Sequence, residues 1–222
     1  MMNEQAIIND AAGFAKDILS REGSGHDWWH THRVWQLAKH IAEKERIEDV
    51  TAVELAAILH ELVDPKTVSF TKISEKDIEE RLRSYGLDEV RIGKVMTGIQ
   101  DTSFSRTIGQ EGKFGENLPI EAKIISDADK LDAIGAIGIA RVFTYGGAKG
   151  HAIHDPNSKP REYKSREEYH AAYKTSINHF YEKLLLLKDM MFTATAKKLA
   201  EQRHAYMEQF LKEFYAEWDG KR

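Results

Sequence analysis

His60 and Glu61 stand side by side at the end of an apolar run, where the helical pattern calls for further apolar residues. The run, residues 55–59, predicts a buried helix, so an imidazole and a carboxylate leave the core together. Adjacent side chains on a helix point about 100° apart, a spread that lets both reach one ion beside the helix. Imidazole nitrogen and carboxylate oxygen are ligands of divalent metals. The pair therefore indicates part of a metal shell.

Further donors come from other segments. Asp127, Asp129 and Asp132 interrupt a strongly apolar stretch, residues 124–137, where burying a carboxylate is costly unless a cation or hydrogen bonds receive it. A divalent cation would receive them. The chain has no cysteine, which excludes thiolate ligands and a cysteine nucleophile. Any metal site must therefore use histidine, aspartate and glutamate.

The elements that position these residues are predicted to be helices. Apolar residues recur with a period of 3.6 over residues 7–18 and 34–42, and similar spacing covers residues 88–100, 119–143 and 193–218. Capping-box spacing at Thr51 and Glu54, and again at Ser165 and Glu168, predicts two further helix starts, the second leading toward Met191. Because no segment alternates convincingly between apolar and polar residues, we expect an all-α fold.

Three segments, residues 64–74, 101–118 and 145–164, are predicted to be loops, and long loops in a compact domain are usually binding loops or lids. With no repeat or linker in sight, we expect one domain over residues 1–222. Its metal-site core would span about residues 26–143, and C-terminal helices at about 165–219 would complete the pocket.

The composition limits the possible partners. The 222 residues are 41% hydrophobic, with 32 Lys and Arg against 36 Asp and Glu, a net charge of −4. This charge offers no broad basic field for a nucleic acid polymer, whereas a local basic cluster would still bind a phosphorylated small molecule. No apolar run is long enough to span a membrane, and the N-terminus lacks the pattern of a signal peptide. We expect a soluble cytoplasmic protein, monomeric or homodimeric.

Three motifs in this order resemble the H…HD…D signature of the HD-domain metal-dependent phosphohydrolases. They are His30-Thr31-His32-Arg33-Val34, Ala57-Ile58-Leu59-His60-Glu61 and Asp127-Ala128-Asp129-Lys130-Leu131-Asp132. The wider text is similar to the YpgQ/YedJ-like bacterial branch, most clearly in Gly25-His26-Asp27-Trp28-Trp29-His30, Asp64-Pro65-Lys66 and residues 134–141 and 179–184. The resemblance implies a single HD-domain helical bundle with long active-site loops. It also implies one divalent metal, manganese first and magnesium, nickel, iron or cobalt as alternatives, and hydrolysis of nucleotide phosphate bonds.

Carried over residue by residue, the resemblance implies that His30, His60, Glu61 and Asp129 are the metal ligands, with Asp127 as the alternative to Asp129. His26 and His32 fall outside the signature. Glu61 departs from it, because the family has aspartate there. The longer side chain leaves three outcomes open: metal binding with altered affinity or activity, unchanged function, or a catalytically silent protein.

Cations and a base are expected near the metal. Arg33 lies three residues after His30 on the same helical face, and Lys66 follows the turn at Asp64, so both are candidates for contacting phosphate and assisting catalysis. Asp64 is the candidate acceptor of the proton from water, or alternatively only a turn former. The basic residues within the later helices are candidates for binding a triphosphate, or alternatively form salt bridges: Arg141 and Lys183.

The resemblance favours a (deoxy)nucleoside triphosphate pyrophosphohydrolase that releases pyrophosphate. Three alternatives remain. One is a phosphomonoesterase or phosphodiesterase of the same superfamily. Another is a catalytically weakened regulator that binds nucleotide or metal, and the glutamate at position 61 is its main motivation. The last is a purely structural helical protein whose buried histidines and aspartates satisfy one another.

Overall fold

The computed structural model describes residues 3–21, 25–64, 67–100, 117–163, 168 and 175–222. These residues are predominantly helical, and β-pairing among them is confined to one bridge between Ala152 and Thr175. The predicted all-α class is confirmed. The α-helices are α1 (Glu4–Leu19), α2 (Trp28–Glu45), α3 (Val50–Leu59), α4 (Val68–Thr71), α5 (Glu75–Ser84), α6 (Glu89–Gln100), α7 (Ile120–Asp132), α8 (Gly135–Ala148), α9 (Ser176–Glu182) and α10 (Ala194–Trp218). Two 3₁₀ stretches, His60–Leu62 and Leu184–Met190, complete the set.

The chain forms two compact units, residues 1–129 and 130–222. In the first unit α3 is the central element and packs against α1, α2 and α6. Every residue of α3 from Thr51 to Leu59 is buried, as expected for a helix that is apolar on all sides. In the second unit α10 packs against α8 and the 3₁₀ stretch Leu184–Met190, and α9 contacts both of these elements. The extent of a single functional domain over the whole chain stays a prediction.

Side-chain caps define where the helices of the first unit begin. Asn3, Asp27, Asp49 and Ser74 each accept a hydrogen bond from a first-turn backbone N–H, of α1, α2, α3 and α5 respectively. The capping box predicted at Thr51 and Glu54 is wrong, because Asp49 caps α3 instead. The two predicted side chains bind elsewhere: the Thr51 hydroxyl donates to Glu4, and Glu54 accepts from the Trp35 indole.

Two predicted helical segments are interrupted. Residues 119–143 form two helices, since α7 ends at Asp132 and α8 begins at Gly135, whose φ of +77° is left-handed backbone that glycine adopts without strain. The segment leading toward Met191 changes from α-helix to 3₁₀ helix after Lys183. The predicted loop at residues 64–74 contains α4, and α5 was not predicted. The box at Ser165 and most of the loop 101–118 lie outside the described residues.

No helix within the described ranges has both the length and the apolarity needed to cross a membrane.

An ion-pair network joins three helices of the first unit. Arg91 of α6 contacts Asp49, the cap of α3, at 2.7 Å and Glu4 of α1 at 2.9 Å. Burial alone would raise the pKa of Asp49, but the Arg91 guanidinium and the hydrogen bond from the Ala52 backbone N–H together outweigh it, and the pKa is lowered. Hydrogen bonds from Arg91 and Thr51 also lower the pKa of Glu4. The network holds α3, which carries His60 at its end, against its neighbours.

We expect Arg91→Gln to destabilise the protein by about 1 kcal/mol near pH 7, a value reduced for partial solvent screening. Carboxylates with lowered pKa values contribute stability above their unfolded pKa, and this contribution is lost as the pH falls. The difference between the two proteins should therefore shrink toward about pH 3. Urea unfolding at both pH values measures it, with Arg83→Gln, which removes only exposed ion pairs, as the control. An equal loss at both pH values would contradict the assignment.

Candidate metal centre

A change of helix type places His60 and Glu61. The α-helix α3 ends at Leu59, and the next three residues continue as a 3₁₀ turn. The backbone carbonyls at the end of this turn accept hydrogen bonds from buried hydroxyls. The Thr67 hydroxyl donates to the Glu61 carbonyl, and the Thr71 hydroxyl donates to the Leu62 carbonyl at 2.7 Å. These bonds fix the backbone that carries the imidazole and the carboxylate.

The His60 ring is held in one tautomer. Its Nδ1 lies 2.8 Å from the Ala57 carbonyl oxygen, which only accepts hydrogen bonds, so Nδ1 carries the proton. The other nitrogen, Nε2, is buried, makes no hydrogen bond in the described structure, and lies 3.6 Å from Glu61 Oε1. A buried Nε2 lone pair with Nδ1–H bound to a carbonyl is the arrangement of a metal-ligating histidine.

His30 and Asp129 approach the same point from α2 and α7. The start of α2 is fixed by Asp27, whose carboxylate accepts from the His30 backbone N–H at 2.9 Å. The fully buried His30 Nε2 lies 3.0 Å from Glu61 Oε1 and 3.4 Å from Asp129 Oδ1. The His30 and His60 rings meet edge to face with their centroids 5.6 Å apart. The structure thus brings together all four residues that the resemblance implied as ligands.

Two sets of possible metal ligands overlap at His30. In each set the ligand atoms lie within 4.8 Å of one another: His26, His30 and Glu61 form one, and His30, His60 and Asp129 form the other. Asp127, the alternative to Asp129, belongs to neither set and is fully buried. The geometry favours Asp129 as the carboxylate from α7.

The carboxylates of the cluster are ionised. Burial would raise the pKa of Glu61, but the imidazoles of His26, His30 and His60 facing it hold that pKa well below its usual range. Burial would likewise raise the pKa of Asp129, but the neighbouring His30 imidazole lowers it, and the lowering prevails. Burial alone would lower the pKa of His60, but the neighbouring Glu61 carboxylate outweighs this effect, and the pKa is raised. Two negative charges, of which that of Glu61 is buried and that of Asp129 is partly exposed, therefore face imidazoles, an environment that favours a cation.

His26 was not among the predicted site residues, yet its Nδ1 lies 3.0 Å from Glu61 Oε1. It sits before the N-cap of α2, outside any helical period, so spacing could not place it. The available signals were its position four residues before His30 and its place in the segment that resembles the YpgQ/YedJ-like branch. His32, also outside the signature, instead contacts the rings of Trp28, Trp29 and Trp35.

The HD domain family model matches residues 28–134, the segment that contains His30, His60, Glu61 and Asp129. A relative, the protein YpgQ of Bacillus subtilis, is 41% identical over 212 residues, which cover 96% of this chain and 94% of YpgQ. The chain belongs to the HD domain family.

Solved structures of similar proteins share the fold over nearly the whole chain. A Lactobacillus plantarum protein of 35% identity matches with a TM-score of 0.83, covering 99% of this chain and all of its own. The structure of YpgQ in complex with ADP matches with a TM-score of 0.77 at 33% identity, covering 97% of each chain. An HD-superfamily hydrolase from Bacillus thuringiensis matches with a TM-score of 0.74 at 38% identity, covering 98% of this chain and 99% of its own.

Asp64, Arg33 and Lys66 are the predicted site residues of the first unit outside the metal cluster. The Asp64 backbone carbonyl accepts hydrogen bonds from the backbone N–H groups of Thr67 and Val68, both at 2.9 Å, so Asp64 does form the turn. Its role as proton acceptor stays a prediction. Arg33 is half-buried on α2, and its contact with phosphate stays a prediction as well. Lys66 lies outside the described residues.

Arg141 and Lys183 belong to the second unit. The Arg141 guanidinium pairs with the buried Asp132 at 2.7 Å, in agreement with the salt-bridge alternative. Lys183 is half-buried at the end of α9. For both residues, binding of substrate stays a prediction.

We expect Mn²⁺ to raise the unfolding temperature of this HD domain and His30→Ala to abolish the increase, because the substitution removes a donor shared by both ligand sets. At a Mn²⁺ concentration 100 times the dissociation constant, binding adds about 2.7 kcal/mol of stability. Scanning calorimetry with Mn²⁺ and with a chelator measures the shift.

The matched control for His30→Ala is His40→Ala, which replaces an exposed histidine on the same helix. The control should keep the Mn²⁺-dependent increase. If both variants kept it, the ion would bind elsewhere.

Proposed function

We propose that this protein is a metal-dependent phosphohydrolase of nucleotides, with His30, His60, Glu61 and Asp129 as ligands of one divalent ion, manganese first. The observation that carries the proposal concerns the buried Nε2 of His60. Because Nδ1 carries the proton, Nε2 presents a lone pair beside the carboxylates of Glu61 and Asp129. Membership in the HD domain family supports the same conclusion.

The donor separations fit such an ion. Neighbouring ligands of an octahedral ion with bonds of about 2.1 Å lie about 3.0 Å apart. The distance from His30 Nε2 to Glu61 Oε1 is 3.0 Å, and the distances from His30 to Asp129 and from His60 to Glu61 are 3.4 and 3.6 Å. Small movements would bring these atoms into one shell. Imidazoles with carboxylates suit manganese, iron, cobalt or nickel, and this set contains no soft sulfur ligand.

A bound divalent ion supplies acidification of water and polarisation of the phosphoryl group. The residues of the chain supply the rest in this proposal. Asp64 accepts the proton that the attacking water loses. Arg33 and Lys66 bind phosphate oxygens and neutralise the charge that develops on the leaving group.

We further propose that the substrate is a (deoxy)nucleoside triphosphate. The relative YpgQ was crystallised in complex with ADP, and this supports a nucleotide as the ligand of the present protein. In the proposed reaction the water oxygen forms a bond to the α-phosphorus, and the bond from that phosphorus to the bridging oxygen breaks. Pyrophosphate leaves with the electron pair, and a nucleoside monophosphate remains.

We expect phosphorus NMR of a panel of NTPs, dNTPs and nucleoside monophosphates with Mn²⁺ to show pyrophosphate and a monophosphate as products. His60→Ala should lower the rate at least tenfold, as expected for the loss of a metal ligand. His40→Ala, an exposed histidine, serves as the control. Orthophosphate as the product would instead identify a phosphomonoesterase or terminal-phosphate hydrolase, and a diester substrate would identify a phosphodiesterase.

Glu61 motivates the second candidate, a regulator that binds nucleotide or metal without turnover. Against it stands the observation that the Glu61 carboxylate reaches His30 at 3.0 Å and lies within 3.6 Å of His60. The longer side chain therefore still faces the same imidazoles, which supports an active enzyme.

We expect Glu61→Gln, which keeps the shape and removes the charge, to lower Mn²⁺-dependent turnover by about 10–100-fold. Glu61→Asp should not raise turnover, because the surrounding imidazoles are arranged for the longer side chain. Initial rates at saturating Mn²⁺ compare the three proteins. A large gain in Glu61→Asp would show instead that glutamate weakens the enzyme. Nucleotide binding without turnover in both the natural protein and Glu61→Asp would favour the regulator.

A further inference from the structure

His26 contacts the metal cluster, although it is outside the four proposed ligands. Its Nδ1 lies 3.0 Å from Glu61 Oε1, and its ring meets the His30 ring edge to face at 5.7 Å between centroids. The residue before it, Gly25, has a φ of +94°, in the left-handed region that glycine adopts most readily. His26 thus reaches the cluster from a turn that precedes α2.

The proton in this contact belongs to His26. A carboxylate that ligates an ion offers only acceptor oxygens to its other neighbours, so Nδ1 of His26, 3.0 Å from Glu61 Oε1, carries the hydrogen and donates it. A nitrogen that carries a proton has no lone pair for a metal. The His26 nitrogen that faces Glu61 is therefore a hydrogen-bond donor, and this contact acts on the ion through the Glu61 carboxylate.

The contact depends on the length of glutamate. An aspartate at position 61 would be shorter by one carbon–carbon bond, about 1.5 Å, and with an unchanged backbone its oxygen would fall out of hydrogen-bond range of His26. Glutamate also has one more rotatable bond, which costs entropy when the carboxylate is fixed. Glu61 Oε2 is buried and has no hydrogen bond within the described residues, so the bond at Oε1 helps to orient the carboxylate.

We infer that His26 is a positioning residue that holds the Glu61 carboxylate in place as a metal ligand and offsets the extra length of the side chain. The inference rests on the proposed metal site. It adds a residue that the four-ligand signature does not contain, and it assigns that residue a role tied to the glutamate of this chain.

The test is a double-mutant cycle in Mn²⁺ affinity, measured from free Mn²⁺ by electron paramagnetic resonance in the absence of nucleotide. His26→Ala should weaken Mn²⁺ binding by about tenfold, the lower end of the range for residues that orient a ligand. His26→Asn places an amide nitrogen near the position of Nδ1, and it should retain affinity to within about threefold. In a Glu61→Asp background, His26→Ala should cost less than about threefold, because no contact is left to remove.

The control is His32→Ala, which removes a histidine that packs against tryptophan rings. It should leave the Mn²⁺ affinity unchanged. Unfolding temperatures measured in the presence of a chelator establish that each variant is folded. If His26→Ala does not fold, His26→Asn still tests the role of His26.

Three results would overturn the inference. Unchanged Mn²⁺ affinity in His26→Ala would remove the role of His26 while leaving the metal site intact. An equal loss in the Glu61 and Glu61→Asp backgrounds would make His26 a ligand or a structural residue independent of glutamate. No Mn²⁺ binding by the unaltered protein would overturn the proposed function itself, and this inference with it.

Discussion

The first unit of the protein is organised around an ionised carboxylate that is almost completely buried. Glu61 is 3% exposed, and a charge in such a place is stable only when other groups compensate it. Three imidazoles surround this carboxylate, since His26, His30 and His60 each bring a ring nitrogen within 3.6 Å of the same oxygen. A hydrogen bond from His26 and, in the proposed metal centre, a bound cation would compensate the charge. The segments that carry these rings must therefore be held to within a fraction of an ångström.

The helical scaffold provides this precision through close packing. At Gly98 of α6, an added Cβ would lie 3.0 Å from the Ala56 side chain of α3 and 2.5 Å from that of Ile125 of α7, so three helices meet where only a hydrogen atom fits. Ala56 is one turn before His60, and Ile125 is one turn before Asp129. The small residues at this contact thus set the distance between the elements that supply the proposed ligands.

Much of the fold could be predicted from the order of residue types. The period of the apolar residues indicated helices, because a helix that buries one face needs that period wherever it lies. The exact helix ends could not be predicted. Thr51 and Glu54 have the right spacing for a cap, but their side chains bind Glu4 and Trp35, which are distant in sequence. Asp49 is left to cap the helix.

For the candidate site, the sequence alone determined which residue types were available: histidines and carboxylates in apolar surroundings, and no cysteine. The tertiary structure decided which of them meet. Asp127 and Asp129 lie on opposite sides of one helix, so only the packing of that helix turns Asp129 toward His30. His26 lies in a turn without periodicity. Its contact with Glu61 exists because the chain folds back to bring together two residues 35 positions apart in the sequence, which no local pattern encodes.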